Sequence, residues 1–252
     1  GHYAALLSMC DARLGDILDE MDRLELWDDT MLIVWTDHGF LLGEHDQWAK
    51  VQMPWYRETA NTPFFVWDPR CSARDERRAS LVQPSIDLGP TLLDLFGMEP
   101  TGDMLGAPLG ETIATDDPPR EAAIYGIHGG HVNVTDGRYV YMRAAANADN
   151  IPLYNYTLMP THMRDMFPAA EFAGLELVEP FSFTKDCSLM RTACLNPPPE
   201  IDFRTLLFDL EQDPWQRTPV DEVTQEERFS AIMLELMEEC DAPAEQYERL
   251  GL

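Results

Sequence analysis

Apolar residues near the start of the chain recur at intervals of three and four positions. This spacing puts one face of residues 3–24 on an apolar stripe, so it predicts an amphipathic helix. The run MLIVWT, residues 31–36, is apolar at nearly every position and rich in branched side chains. Such a run is typical of a strand buried on both faces, as in a parallel sheet. Helix, turn and buried strand in succession predict an α/β fold.

The next segments continue the pattern. TPFFVWDP, residues 62–69, predicts a second buried strand closed by a proline. PSIDLGPTLLDLFGM, residues 84–98, predicts a helix, with Pro90 near its start or at a kink and Gly97 just past its end. From residue 102 to 121 the chain is rich in Gly, Pro and Asp and has little periodicity, which indicates a linker or surface excursion.

The second half has a different pattern. Residues 122–143 hold two strand-like runs on either side of TDG, a strong hairpin signal. TLLFDLEQDPW, residues 205–215, predicts a strand that ends at Asp213-Pro214, and residues 224–240 predict a closing helix. Residues 144–200 are rich in aromatic residues, Met and Pro and give no clear element, as in an insertion. The predicted units are therefore residues 1–99 and 100–252, the second carrying antiparallel strands.

Charge and composition exclude several classes of function. Asp and Glu total 45 against 18 Lys plus Arg, a formal net charge of −27, so the chain has no basic face for nucleic acid or anionic lipid. No apolar run is long enough for a membrane span. The five cysteines form no CxxC pair, which argues against a structural zinc site. The compartment stays open: cytoplasmic, or secreted or periplasmic if a signal peptide lies upstream.

The polar loop after MLIVWT carries the candidate chemistry. Asp37 and His38 follow the strand directly, and ligands of open α/β sheets bind beyond the carboxyl ends of strands. A carboxylate beside an imidazole suits a divalent cation, and Gly39 eases the turn because it has no Cβ. The alternative is that Asp37 caps a helix and His38 is a packed, hydrogen-bonded side chain.

Several motifs occur in a fixed order along most of the chain. They are DARLGDILDEMDRLELWDDTMLIVWTDHG, then GEHDQWAK, then YRETANTPFFVWDP, and farther on IYGIHGGHVNVTDGRYVYM and LLFDLEQDPWQ. Taken together and in this order, the motifs resemble those of the sulfatases of the alkaline-phosphatase-like superfamily. The resemblance implies that residues 1–99 are the C-terminal part of the sulfatase central-sheet domain. It also implies that residues 100–252 form a smaller α+β subdomain.

The resemblance also implies roles for particular residues. Asp37 and His38 would be two ligands of the family's divalent cation, usually Ca²⁺, with Mg²⁺ or Mn²⁺ as alternatives. Lys50 would contact the sulfate oxygens, and we expect it farther off, on the anion side of the site. For His45 two interpretations stay open, since it either lines the pocket or fixes the loop together with Glu44.

One part of the family's machinery has no counterpart in the sequence. Sulfatases use a formylglycine made from Cys or Ser in a C/S-x-P-S-R motif, and no cysteine here has Pro two residues later. We therefore expect a C-terminal portion of a sulfatase, with the nucleophile upstream and the chain inactive alone. An unpaired sheet edge would follow, so we also expect exposed apolar surface, a homo-oligomer that covers it, or a missing N-terminal half.

The predicted function is metal-dependent hydrolysis of a sulfuric ester, with a small-molecule or carbohydrate sulfate as substrate. The nearest alternative is a phosphonate monoester or phosphodiester hydrolase of the same superfamily. A second alternative is a non-catalytic remnant that keeps the fold for binding.

Overall fold

The computed structural model of the protein describes residues 1–50, 54–195 and 204–252. The helices in this part of the chain are α1 His2–Arg23, α2 Arg57–Ala60, α3 Pro84–Leu95, α4 Gly110–Thr115, α5 Val223–Glu239 and α6 Ala244–Leu250. The strands are β1 Leu32–Trp35, β2 Leu41–Leu42, β3 Trp48–Ala49, β4 Phe64–Trp67, β5 Ala123–Gly126, β6 Val132–Thr135, β7 Tyr139–Arg143, β8 Tyr154–Thr157, β9 Glu176–Val178, β10 Leu189–Ala193 and β11 Leu206–Asp209. They form separate small sheets.

The predicted strands β1 and β4 are present, but their environment differs from the expectation. They form a two-stranded antiparallel sheet with Trp35 opposite Phe64. All four β1 residues are only half-buried, and Phe65 of β4 is 65% exposed. The expectation of strands covered on both faces is therefore wrong for the described chain. An apolar run indicates that a strand has neighbours, but it does not specify their direction or number.

Helix α1 follows the predicted bounds within a residue or two. Helix α3 also forms, and Gly97 lies just past its end with φ +67°. Pro84 occupies the helix start, where a missing N–H costs little, and Pro90 lies inside the helix instead of near its start. The predicted linker contains the short helix α4. Leu109, which directly precedes this helix, is almost completely buried. A short helix of this kind carries too few periodic positions to be seen in the sequence.

The predicted hairpin is the centre of the largest sheet. Strands β6 and β7 pair antiparallel across the TDG turn, and the order of the four strands is β11-β7-β6-β5. Side chains alternate along β7, so Tyr139 and Tyr141 lie on one face and Val140 and Met142 on the other. The first face packs against α5 and α6 through Phe229, Met233, Met237 and Leu250. The second face packs against Tyr56, which comes from the first unit.

The insertion at residues 144–200 is more ordered than its sequence indicates. Strands β8, β10 and β9 form a three-stranded antiparallel sheet, with 3₁₀ turns at Ala169–Phe172 and Ser182–Thr184. Residues 196–200 of this segment lie outside the described residues. Two boundaries also differ from the prediction. Strand β11 ends at Asp209, four residues before Asp213, and the closing helix α5 is followed by α6.

Among the described residues no helix combines the length and apolarity that crossing a membrane requires. None of the five cysteines, all of which lie in the described residues, forms a disulfide.

Candidate active site

Asp37 and His38 lie where the chain leaves β1. The Oδ1 atom of Asp37 accepts a hydrogen bond from the backbone N–H of His38 at 3.0 Å. This bond leaves Oδ2 facing the imidazole, 3.4 Å from Nε2 of His38. Asp37 is largely exposed and His38 is about two-thirds buried, so the pair opens to solvent on one side.

The imidazole of His38 is held in one orientation by its own turn. Its Nδ1 lies 2.8 Å from the carbonyl oxygen of Gly39, which can only accept, so Nδ1 carries the proton. The lone pair is therefore on Nε2. A backbone carbonyl on one ring nitrogen and a free lone pair on the other is the arrangement found in metal-ligating histidines.

Lys50 completes the cluster. Its Nζ lies 2.8 Å from Nε2 of His38, so the ammonium donates to the free lone pair of the imidazole. Lys50 is exposed and lies closer to His38 than the separation we expected. The reason is that Nε2 is an acceptor directed at the only ammonium nearby in the described residues, and Lys50 and Lys185 are the sole lysines of the sequence.

The segment between His38 and Lys50 is a small hairpin of β2 and β3. Glu44 closes it, because the N–H of Leu42 donates to Oε2 of Glu44 at 2.6 Å. This bond, with a second from the N–H of Glu44 itself, lowers the pKa of the Glu44 carboxyl. Glu44 therefore has the loop-fixing contact considered in the sequence analysis.

His45 occupies the turn of that hairpin with φ +52°. Its ring lies parallel to the ring of Tyr56 with centroids 3.6 Å apart, and Nε2 faces Oε2 of Glu58 at 3.4 Å. Only 11% of the His45 side chain is exposed, against 29% for His38.

Gly39 touches α2 so closely that no side chain fits. A Cβ at this position would lie 1.8 Å from the carbonyl oxygen of Glu58. The N–H of Gly39 donates to the carbonyl of Thr59 at 2.8 Å. The glycine is needed here for close approach, since its φ is not in the left-handed region.

Helix α2 is anchored in turn by the second unit. Oε1 of Gln216 accepts a hydrogen bond from the N–H of Arg57 at 2.6 Å, and the Arg57 guanidinium donates to the carbonyl of Pro214. The same guanidinium lies over the ring of Trp215. The DPWQ turn after β11 thus contacts the segment that supports Gly39 and His45.

The donors at the site fit part of a metal shell. Oδ2 of Asp37 and Nε2 of His38 are close enough to reach one ion, and oxygen with imidazole nitrogen suits a divalent cation. Within residues 1–50, 54–195 and 204–252, no three His, Cys, Asp or Glu side chains are grouped to hold a metal. Asp37 and His38 alone would therefore be only part of the ligand set of such an ion.

Three further histidines, His128, His131 and His162, have local partners. His131 is fully buried with Nε2 at 3.1 Å from the carbonyl of Arg204, and Nε2 of His128 lies 2.8 Å from the carbonyl of Tyr154. His162 contacts both carboxylate oxygens of Glu171, at 2.8 and 2.9 Å. These contacts agree with the packing or turn roles typical of such residues.

Sequence reasoning identified Asp37, His38 and Lys50, which the fold brings together. It did not identify Tyr56, Glu58 or Gln216 as support for them. The local sequence carries no signal for the burial of Glu58, because glutamate is usually exposed, whereas only 14% of this side chain is exposed.

Comparisons with known proteins agree with this architecture. Residues 1–98 match the family model described as Sulfatase. An N-acetylglucosamine-6-O-sulfatase of Bacteroides thetaiotaomicron is 25% identical over 183 residues, which is 68% of this chain and 32% of that relative. The chain spans about a third or less of the length of the curated relatives it matches.

Solved structures show the same fold. BT4656, solved in complex with its substrate D-glucosamine-2-N,6-O-disulfate, has a TM-score of 0.54 at 17% identity and matches 91% of this chain and 37% of its own. The phosphonate monoester hydrolase SpPMH from Silicibacter pomeroyi has a TM-score of 0.58 at 17% identity, with 91% and 38% covered. At this identity the likeness shows the alkaline-phosphatase-like fold, as expected from the sequence.

Proposed function

Since residues 1–98 of this chain belong to the sulfatase family, we propose that the chain supplies one side of the active site of a sulfuric ester hydrolase. The observation that carries the proposal is the convergence of Asp37, His38 and Lys50. Oδ2 of Asp37 and Nζ of Lys50 both lie within 3.4 Å of Nε2 of His38. Asp37 and His38 would ligate a metal cation, and the Lys50 side chain is itself positively charged. Together they would place positive charge at one solvent-open point, which complements the negative charge of a sulfate monoester.

Each residue has a definable task in that reaction. Asp37 and His38 would hold a divalent cation, Ca²⁺ by resemblance, which supplies positive charge next to the ester when bound. Lys50 donates to the sulfuryl oxygens and stabilises their charge as the ester bond breaks. The carbonyl of Gly39 keeps the proton on Nδ1 of His38. The Nε2 lone pair accepts from Lys50 in this structure, and it would be free to ligate the cation once Lys50 donates to the sulfuryl oxygens instead.

The covalent nucleophile is proposed to come from residues outside this sequence. No C/S-x-P-S-R motif occurs in the 252 residues, and the segment matched by this chain covers 32% of the N-acetylglucosamine-6-O-sulfatase. The substrate is proposed to be an organic sulfate, with carbohydrate sulfates favoured by the complex of BT4656. A phosphonate monoester or phosphodiester is the second candidate, supported by the shared fold of SpPMH.

The test compares the 252-residue chain with the chain joined to its upstream coding region and matured. Both are assayed with an aryl sulfate, a phosphodiester and a phosphonate monoester. We expect no turnover by the 252 residues, because losing a covalent nucleophile costs several orders of magnitude in rate. We expect the extended protein to hydrolyse the sulfate fastest. Preferential turnover of the phosphonate would favour the second candidate, and a silent extended protein would favour the non-catalytic remnant.

Two substitutions test the residues themselves. Lys50→Ala and Asp37→Ala should each lower kcat/KM of the extended protein by about 10²–10³, typical for loss of a charge-stabilising group. Lys185→Ala is the matched control for Lys50, since Lys185 is 71% exposed and pairs with Asp103. Asp16→Ala on the outer face of α1 is the control for Asp37. Equal losses in the site variants and their controls would remove the site assignment.

A further inference from the structure

We propose that His45, Tyr56 and Glu58 form a clasp that positions Lys50 against His38, which makes His45 a positioning residue. The inference rests on the proposed function for its purpose, but its geometry stands independently. The clasp joins the hairpin that carries Lys50 to the helix that supports the turn carrying His38.

The first half of the clasp is a ring stack with a fixed base. The planes of His45 and Tyr56 differ by 5°, and Tyr56 is 8% exposed. Behind it, Tyr56 packs edge-on against Phe208 with centroids 6.1 Å apart, within the core formed with Val140, Met142 and Leu206. His45 is therefore braced by a side chain that is itself immobilised in the main sheet.

The second half is a polar contact between Glu58 and His45. Oε2 of Glu58 makes no hydrogen bond among the described residues, and Nε2 of His45 lies 3.4 Å from it. Both side chains are more than 85% buried. A carboxylate oxygen in such surroundings favours any arrangement that keeps the imidazole opposite it. Ring stack and carboxylate together define both the plane and the direction of the His45 ring.

Helix α2 also contacts the turn that carries His38, which is the second arm of the site; the hairpin that carries Lys50 is the first. The backbone of Glu58 is in contact with Gly39, and the carbonyl of Thr59 accepts from the N–H of Gly39. The carbonyl of Gly39 in turn orients His38. Glu58 thus braces the His38 turn through its backbone and the Lys50 hairpin through its side chain. The 2.8 Å contact between Lys50 and His38 is the place where these two arms meet.

Its burial and its two partners separate His45 from a substrate-contacting residue. His38, with 29% of its side chain exposed, keeps Nε2 directed at the open site, whereas His45 directs Nε2 at Glu58. The left-handed φ of His45, +52°, is unusual for a residue with a large side chain and is tolerated where surrounding contacts fix the conformation.

The experiment follows the ¹⁵N signals of the His38 ring in the 252-residue chain by NMR. His45→Phe keeps the stack on Tyr56 and removes Nε2, and Glu58→Gln keeps the size of the side chain and removes its charge. The matched control is His128→Phe, which removes a histidine Nε2 contact with a backbone carbonyl far along the chain. We expect both clasp variants to shift the His38 Nε2 signal and the control to leave it in place. Inorganic sulfate, titrated as a probe, should bind about 3- to 30-fold more weakly to the clasp variants, as for coupled neighbours.

The outcomes separate the clasp from the function. Unchanged His38 signals in a folded His45→Phe chain would overturn the clasp. If His45→Phe fails to fold, the milder Glu58→Gln decides by the same signal. Shifted His38 signals in a chain that binds no sulfate even as wild type would support the clasp and count against the proposed function. Equal shifts in His128→Phe would show a general loosening and overturn the positioning role.

Discussion

At the scale of single residues, the site depends on one missing Cβ. Gly39 lies between the Asp37–His38 pair and α2, and a Cβ on it would lie 1.8 Å from the carbonyl oxygen of Glu58. A methyl group there must push apart the turn and the helix, because the atoms in its way are backbone atoms, which cannot rotate aside as a side chain can.

Gly39→Ala is therefore expected to destabilise the protein by about 1–3 kcal/mol, the range for overpacking. It should also weaken sulfate binding, since the His38 turn moves with it. Urea unfolding and the sulfate titration measure the two effects. Gly15→Ala in α1 is the control, because a Cβ there meets nothing within 4 Å and alanine favours helix by about 0.5–1 kcal/mol. A Gly39→Ala chain as stable as wild type would contradict the close contact.

A second residue-scale prediction concerns acid. Asp209 at the end of β11 is almost fully buried and paired with Arg138 at 2.9 Å, and this guanidinium lowers the pKa of the Asp209 carboxyl. A carboxyl with a lowered pKa adds stability above the pKa of its unfolded form, about 3.9, and loses it as the pH falls through the folded value. Its contribution should therefore begin to fall at about pH 4 and be lost once the pH is below the folded pKa.

Asp209→Asn should make the urea midpoint less dependent on pH between about pH 5 and pH 3, because the titrating group is gone. It should also lower the midpoint at neutral pH. Arg138→Gln removes the cause of the lowered pKa and should flatten the same window. If the urea midpoint of both variants falls with pH as steeply as that of the wild type, the Asp209–Arg138 pair does not cause the loss of stability in acid.

At the scale of elements, the sequence predicts those helices and hairpins that a local pattern of residues specifies. Helix α1 has apolar residues at helical spacing, and the β6–β7 hairpin has its turn signal between two strands, so the sequence predicts both from local pattern. Asp37 and His38 are neighbours in sequence and follow a strand, which made them identifiable too.

Elements fixed by distant contacts were not predictable in this way. Tyr154 of β8 pairs with Ala193 of β10, and no local pattern specifies that register. Two apolar runs likewise do not specify whether β1 and β4 pair parallel or antiparallel. At the site, the contact between Arg57 and Gln216 spans 159 positions, so the support of α2 could be found only in the folded chain.

At the scale of the whole molecule, exposed apolar surface favours self-association and the net negative charge opposes it. Leu7 and Phe65 are 62% and 65% exposed, and Phe96 at the end of α3 is 75% exposed. A cleft of about 740 Å³ runs between β1 and α3, lined by Ile33, Trp35, Leu92 and Leu95 among others. Such apolar exposure is one of the consequences expected of an unpaired sheet edge. The net charge of −27 keeps like molecules apart at low ionic strength.

The isolated 252-residue chain should therefore bind a hydrophobic dye and self-associate as salt is added. Screening shortens the Debye length from about 30 Å at 0.01 M to about 3 Å at 1 M, which weakens charge repulsion and leaves apolar attraction in place. Sedimentation velocity across this salt range, with dye fluorescence in parallel, measures both effects. Phe65→Ser with Phe96→Ser should reduce dye binding and the salt-induced association. Met163→Ser is the control, because Met163 is 98% exposed in the insertion and does not line the cleft. A chain that stays monomeric and dye-free at every salt concentration would show that this face is not available for association.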